Sequence, residues 1–234
     1  MASPVKLLLI HGLNNSLEAF HPLRDALSDQ GFEVHQVCLP GHGDDRYQVR
    51  DLNAALMSFD KQMQALTTTP YVAVAFSQGA LYLQQWITQN PTLAPKRQVL
   101  LAPALFIRRL GFMELLANIV PQNWWIWSQS PAELRRYKEL YFWEYRILFA
   151  KARLFVSNPM LRTETLILVD EKDELVNAKK LKELYGERTQ VLRRPYLSGK
   201  KPGKYHILFH PEYFTAADWE KFIQGLKSFL SAEA

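Results

Sequence analysis

The chain has 234 residues, 48% of them hydrophobic and 22% charged, with a net charge of +5. That length can bury one full core, and the charge is too small to mark a nucleic-acid binder. The single cysteine, Cys38, excludes an internal disulfide framework and a cysteine-based metal cluster, and no apolar run approaches the roughly 20 residues that cross a bilayer.

Residues 5–10 form the first strand-like run. Lys6 followed by Leu7-Leu8-Leu9-Ile10 superficially resembles a leader, but the run is short and ends in His11-Gly12. It is expected to be a strand, and a cytoplasmic location is expected with it. Further strand-like runs cover 32–38, 71–76, 98–101, 165–169 and 190–192. Helical spacing fills the gaps between them. In 17–30, Leu17, Phe20, Leu23 and Leu27 share one face; in 52–66, Leu52, Leu56, Phe59, Met63 and Leu66 do. Residues 78–90, 175–184 and 213–230 continue the alternation. Strands alternating with helices predict an α/β fold, a mostly parallel central sheet with helices on both faces. Its working site belongs at the carboxyl ends of the strands.

Residues 103–162 break the alternation. They are helical in character, contain no predicted strand and are dense in aromatic residues. A long insertion in a compact domain is usually functional. The expectation is a helical cap inserted between two core segments, 1–102 and 163–234. Trp124, Trp125, Trp127, Phe142 and Trp143 are its expected substrate-binding residues, lining an apolar pocket.

The chemistry concentrates in four loops. The run Tyr71-Val72-Ala73-Val74-Ala75-Phe76-Ser77-Gln78-Gly79-Ala80 is a strand delivering a serine onto a sharp turn at the mouth of a helix. Such a turn exposes the Ser77 hydroxyl as a nucleophile and aims backbone N–H groups beside it. Ala75 stands where the pattern G-x-S-x-G has its first glycine. After the first strand, Gly12 allows the chain to turn, so the Leu13 N–H is expected to form an oxyanion hole with the Gln78 N–H. His11 is expected to be structural. Pro40-Gly41-His42-Gly43 reads as a tight turn, with no chemistry assigned to His42.

In Asp170-Glu171-Lys172-Asp173-Glu174, all four acids compete to orient a histidine; Asp173 is favoured because it follows a short turn and precedes Leu175-Val176. The alternative is that these acids merely cap the next helix. His206 and His210 compete for general base, and His206 is favoured because an apolar segment anchors it while His210 precedes a proline. Arg193, Arg194, Lys200, Lys201 and Lys204 form a basic loop before His206, expected either to be solvated surface or to attract an anionic lipid surface.

These motifs, in this order, resemble the α/β-hydrolase superfamily over nearly the whole chain. Within it the Pro-Gly-His-Gly turn resembles the monoacylglycerol lipase, lysophospholipase and carboxylesterase branch. The resemblance implies a catalytic triad of Ser77, Asp173 and His206 acting on a small-molecule carboxylic ester, with no metal or organic cofactor. A serine aminopeptidase or amidase is the rival enzyme. A ligand-binding protein on the same scaffold is the rival outside catalysis.

Overall fold

The computed structural model describes residues 4–194 and 204–232. In chain order its strands are β1 (Val5–Ile10), β2 (Phe32–Val37), β3 (Val72–Phe76), β4 (Arg97–Leu101), β5 (Trp125–Trp127), β6 (Glu139–Tyr141), β7 (Glu164–Asp170) and β8 (Thr189–Leu192). The α-helices are α1 (His21–Ser28), α2 (Leu52–Leu66), α3 (Gln78–Gln89), α4 (Leu110–Ile119), α5 (Phe142–Ser157), α6 (Ala178–Tyr185) and α7 (Ala216–Ser231).

Six strands pair in parallel in the order β2-β1-β3-β4-β7-β8. The inner strands β1, β3, β4 and β7 are largely buried on both sides because helices cover both sides. Leu8, Ile10, Ala73, Ala75, Leu100 and Ile167 pack into one core cluster with residues of α2, α3, α5 and α6. Their sequence neighbours Leu7, Leu9, Val72, Val74, Val99 and Leu168 pack into the other with α1 and α7. This two-residue period fixes the register, since a one-residue slip would exchange the two sets. The order reverses between β1 and β3, which opens a crevice at their carboxyl ends where a parallel sheet holds its site.

Helix boundaries follow local chemistry. Asp51 accepts the Ala54 N–H at the start of α2, and Thr215 accepts the Asp218 N–H at the start of α7. The last helix therefore begins at Ala216, after a 3₁₀ turn at Pro211–Tyr213, rather than at 213.

The segment 103–162 departs from expectation in one respect. It contains α4 and α5, but also an antiparallel ribbon of β5 and β6. Strands of three residues are too short to show a period, and Trp125-Ile126-Trp127 has the aromatic, β-branched content of a strand. Two of the ties between this segment and the core lie at loops that follow strands of the sheet. The Asn14 side chain donates to the Ser128 hydroxyl and the Tyr137 carbonyl and accepts the Tyr137 N–H. At the other, the Arg108 N–H donates to the Leu175 carbonyl and the Asn177 N–H to the Phe106 carbonyl. One tie reaches the loop after β1 and the other the loop after β7.

Candidate active site

Ser77 sits between β3 and α3 with φ 49° and ψ −115°, a backbone region that side-chain-bearing residues rarely occupy. The turn is over-determined. The Ser77 N–H donates to the Leu101 carbonyl, and the Ser77 carbonyl accepts from Ala80 and Ala104. Two glycines make room for it. A Cβ on Gly79 would stand 2.9 Å from both Cγ2 and the carbonyl oxygen of Ile10, so α3 can lie against β1 only without a side chain there. A Cβ on Gly12 would stand 2.9 Å from Ser77 Cβ, which shows how closely the loop after β1 approaches the serine.

The His206 ring joins the serine to an acid. Its Nε2 lies 2.9 Å from Ser77 Oγ, and its Nδ1 lies 2.9 Å from Asp173 Oδ2. The ring also packs on Phe76, 5.0 Å between centroids. Asp173 is buried, and its other oxygen accepts the Leu175 and Val176 N–H groups at 2.8 and 2.7 Å. Burial pushes this carboxyl up, but His206 and the two backbone donors outweigh it and hold it below the usual carboxylate range. The arrangement leaves one acid oxygen for the backbone and one for the histidine.

The acids that competed for this place have other partners. Asp170, fully buried at the end of β7, pairs with Arg194 Nε at 2.9 Å. Glu171 pairs with Arg193 at 3.0 Å. Glu174 accepts the Tyr205 and His206 N–H groups, each at 2.9 Å on a different oxygen. His210 begins a 3₁₀ turn, with Nδ1 accepting the Glu212 N–H.

The basic loop is corrected in part. Arg194 is not solvated surface: it is buried and donates to the carbonyls of Tyr205, Ile207 and Tyr213 as well as to Asp170. Lys204 donates to the Gln129 carbonyl. Lys200 and Lys201 lie outside the described residues. The loop bearing His206 is thus gripped twice, by the Glu174 carboxylate on its N–H groups and by Arg194 on its carbonyls.

His42 has a part the sequence did not reveal. Its Nε2 accepts the Asn14 N–H at 2.7 Å while Nδ1–H donates to the Pro40 carbonyl. His11 Nε2 accepts the Leu39 N–H, and Nδ1–H donates to the Gly12 carbonyl. Both rings are buried, which lowers His11 to about 3 and His42 to about 4. Each uses one nitrogen as acceptor, so each is held neutral. Together they brace the turn after β1, where Asn14 has φ 57° and Leu13 is only partly buried. A Gly-His-Gly turn after the second strand was the only available signal.

The expected substrate-binding aromatics are dispersed. Trp124, Trp125 and Trp127 are exposed on the ribbon and its approach, and Phe142 is half-buried. Trp143 is buried, stacked on Tyr141 and within reach of Gly41 in the turn after β2. A cavity of about 330 Å³ lies elsewhere, between β8 and α7, lined by Leu168, Leu192, Phe214 and Leu226 among others. Among the described residues, no three His, Cys, Asp or Glu side chains converge as a metal-ligand set, and no helix is long and apolar enough to cross a membrane.

A family model described as "Alpha/beta hydrolase family" matches residues 7–226. No curated protein sequence matches the chain. Among solved structures, a monoacylglycerol lipase from Paleococcus ferrophilus is 17% identical, with a TM-score of 0.72 over 96% of this chain and 93% of that one. A soluble variant of monoglyceride lipase from Saccharomyces cerevisiae, in complex with a substrate analog, is 13% identical, with a TM-score of 0.73 over 97% and 86%. An esterase from Exiguobacterium antarcticum is 14% identical, with a TM-score of 0.67 over 99% and 94%. At such identities the likeness is one of fold.

Proposed function

The chain belongs to the alpha/beta hydrolase family, and on that premise we propose that it is a serine hydrolase of carboxylic esters. The observation that carries this reading is the position of His206, 2.9 Å from Ser77 Oγ on one side and 2.9 Å from the buried Asp173 on the other. An ordinary turn serine has no reason to meet a histidine whose far nitrogen is held by an acid.

In the proposed reaction, Asp173 keeps the His206 proton on Nδ1, so that Nε2 is free to accept one. Nε2 takes the Ser77 proton as Oγ bonds to the ester carbonyl carbon. The carbonyl π pair moves onto oxygen, and the oxyanion lies between the Leu13 and Gln78 N–H groups. Gln78 opens α3, and the first N–H groups of a helix lack intrahelical acceptors, so its donor is available for this role. Each such donor contributes about 3–4 kcal/mol. His206 then gives its proton to the departing alkoxide oxygen as the C–O bond breaks. Water, deprotonated by the same nitrogen, attacks the acyl-serine carbonyl; as the C–Oγ bond breaks, His206 returns that proton to Ser77 Oγ and the carboxylic acid leaves. The acyl group would contact Trp143 and Phe142 at the mouth of the insertion, with the ribbon tryptophans as outer contacts. No step requires a metal or organic cofactor.

The test is labelling with a fluorophosphonate, which reacts only with an activated serine, and hydrolysis of p-nitrophenyl esters of graded acyl length. Labelling and turnover that vanish in Ser77→Ala at an unchanged melting temperature support the reading. Turnover of amides with none of esters would transfer it to an amidase. An unlabelled folded protein would leave a binding role on the hydrolase scaffold.

A further inference from the structure

Helix α4 is amphipathic in the wrong sense for a helix that covers a core. Phe112, Leu115, Leu116 and Ile119 share one stripe at helical spacing, and all four are exposed, Ile119 at 70% and Phe112 at 58%. The residues turned toward the protein include Leu110, which packs against the core, Ala117, which is buried, and Glu114, which pairs with Arg153 of α5. Helix α5 is the main support of α4 in the described structure. The support is firm, because Arg146 of α5 donates to the carbonyls of Ala117, Asn118 and Val120 at the carboxyl end of α4. The outward stripe is therefore held in place rather than left by a detached helix. The chain then runs directly from α4 into the ribbon, where Trp124, Trp125 and Trp127 are exposed as well. Met113 and Ile126 are exposed too, so this one stretch of chain shows a density of large apolar side chains that a soluble surface rarely shows without a partner.

Charge identifies the partner. Residues 103–162 carry nine Lys and Arg against four Asp and Glu, so this segment alone accounts for the whole net charge of +5. The exposed cations border the stripe. Arg108 and Arg109 stand at the amino end of α4, and Lys138 lies opposite Ser128 at the open end of the ribbon. Apolar side chains and tryptophans rimmed by cations suit the boundary between acyl chains and anionic headgroups. A second copy of the chain fits poorly, because a twofold contact pairs the same face with itself and would bring the cations Arg108, Arg109 and Lys138 of one copy to the same cationic rim of the other.

We infer that α4 and the tryptophan ribbon form a docking surface for an anionic lipid interface. This surface replaces the basic loop before His206, whose Arg194 is buried in the described structure. The inference does not depend on the hydrolytic reading, since it concerns where the protein rests and not what it cleaves.

The experiment is flotation of the full chain carrying Ser77→Ala, so that no vesicle lipid is consumed. The vesicles are phosphatidylcholine alone or phosphatidylcholine with phosphatidylglycerol, at low and high salt. Binding is expected on the anionic vesicles, with weakening in high salt as the screening length contracts to about 3 Å near 1 M. The triple variant Phe112→Gln, Leu116→Gln, Ile119→Gln keeps good helix formers on an exposed face, and should lose about tenfold or more of the partitioning. Its melting curve, and its hydrolysis of a water-soluble ester in the Ser77 background, should match the parent. The inference is overturned if the parent ignores anionic vesicles, or if the triple variant partitions like the parent. It is also overturned if sedimentation shows a dimer that the triple variant dissolves, which would make the stripe a protein contact. Failure of ester hydrolysis in the Ser77 protein would overturn the proposed function and leave the partitioning result standing.

Discussion

Replacing Asp173 by Asn separates the two jobs of this side chain. One oxygen accepts the Leu175 and Val176 N–H groups, and the other faces His206 Nδ1. In the Asp173→Asn variant the amide oxygen must remain with the two backbone donors, because the amide NH₂ cannot accept from them. The NH₂ then faces Nδ1 and donates to it. This moves the His206 proton to Nε2, where it donates to Ser77 and cannot receive a proton. Both backbone bonds persist in neutral form. The loss is about 1 kcal/mol for each, or about 2 kcal/mol together, partly offset because a buried charge no longer has to be desolvated. The fold should survive. Turnover should fall about 10⁴-fold, equivalent to about 5.5 kcal/mol of transition-state stabilisation. The assay is kcat/KM on a p-nitrophenyl ester, with a melting curve on the same preparation. Asp170→Asn provides the control, since its carboxylate serves Arg194 and never meets His206. A folded Asp173→Asn enzyme within about tenfold of the parent would refute the tautomer argument. So would a larger catalytic loss in Asp170→Asn.

Three other outcomes are expected. Gly79→Ala places a methyl 2.9 Å from the Ile10 backbone; overpacking of about 3 kcal/mol should lower Tm by about 6–12 °C, and an unchanged Tm would contradict the close approach. Burial lowers His11 to about 3 and His42 to about 4, so between about pH 6.5 and 4 the unfolded chain binds two protons that the folded chain refuses. Stability should therefore fall as pH falls through that window, by up to about 1.4 kcal/mol per unit per histidine, and urea midpoints should show a shallower slope in His42→Gln. Glu174→Ala frees the Tyr205 and His206 N–H groups and should lower kcat about tenfold with KM nearly constant; Glu174→Gln should recover part of it, and parent-like kcat in Glu174→Ala would remove the positioning role.

The sheet was legible in the sequence because its strands are short β-rich runs separated by helical spacing. The six core strands were expected at 5–10, 32–38, 71–76, 98–101, 165–169 and 190–192, and each is found within about two residues. Ser77 was legible for a related reason: a strand, a serine among small residues and a helix in succession leave the chain one sharp turn to make. Such signals are local, and local sequence determines them. Three features were not local. The choice among Asp170, Glu171, Asp173 and Glu174, in which the sequence favoured Asp173 only by its place before Leu175-Val176, depends on which side of the β7 carboxyl end each carboxylate faces; within five positions the partners are Arg194, Arg193, His206 and the His206 backbone. Arg194 resembled its basic neighbours until the sheet set it beside Asp170, since β8 pairs Leu192 with Asp170 and the arginine follows two residues later. His42 needed the loops after β1 and β2 to meet, with Asn14 and His42 28 residues apart in sequence, before its ring could receive the Asn14 N–H. The sequence by itself singled out the residues that meet at the candidate site and the end of the sheet they occupy. Only the tertiary structure decided their partners, because a hydrogen bond or an ion pair is settled by ångström-scale distances between segments that the chain does not join directly.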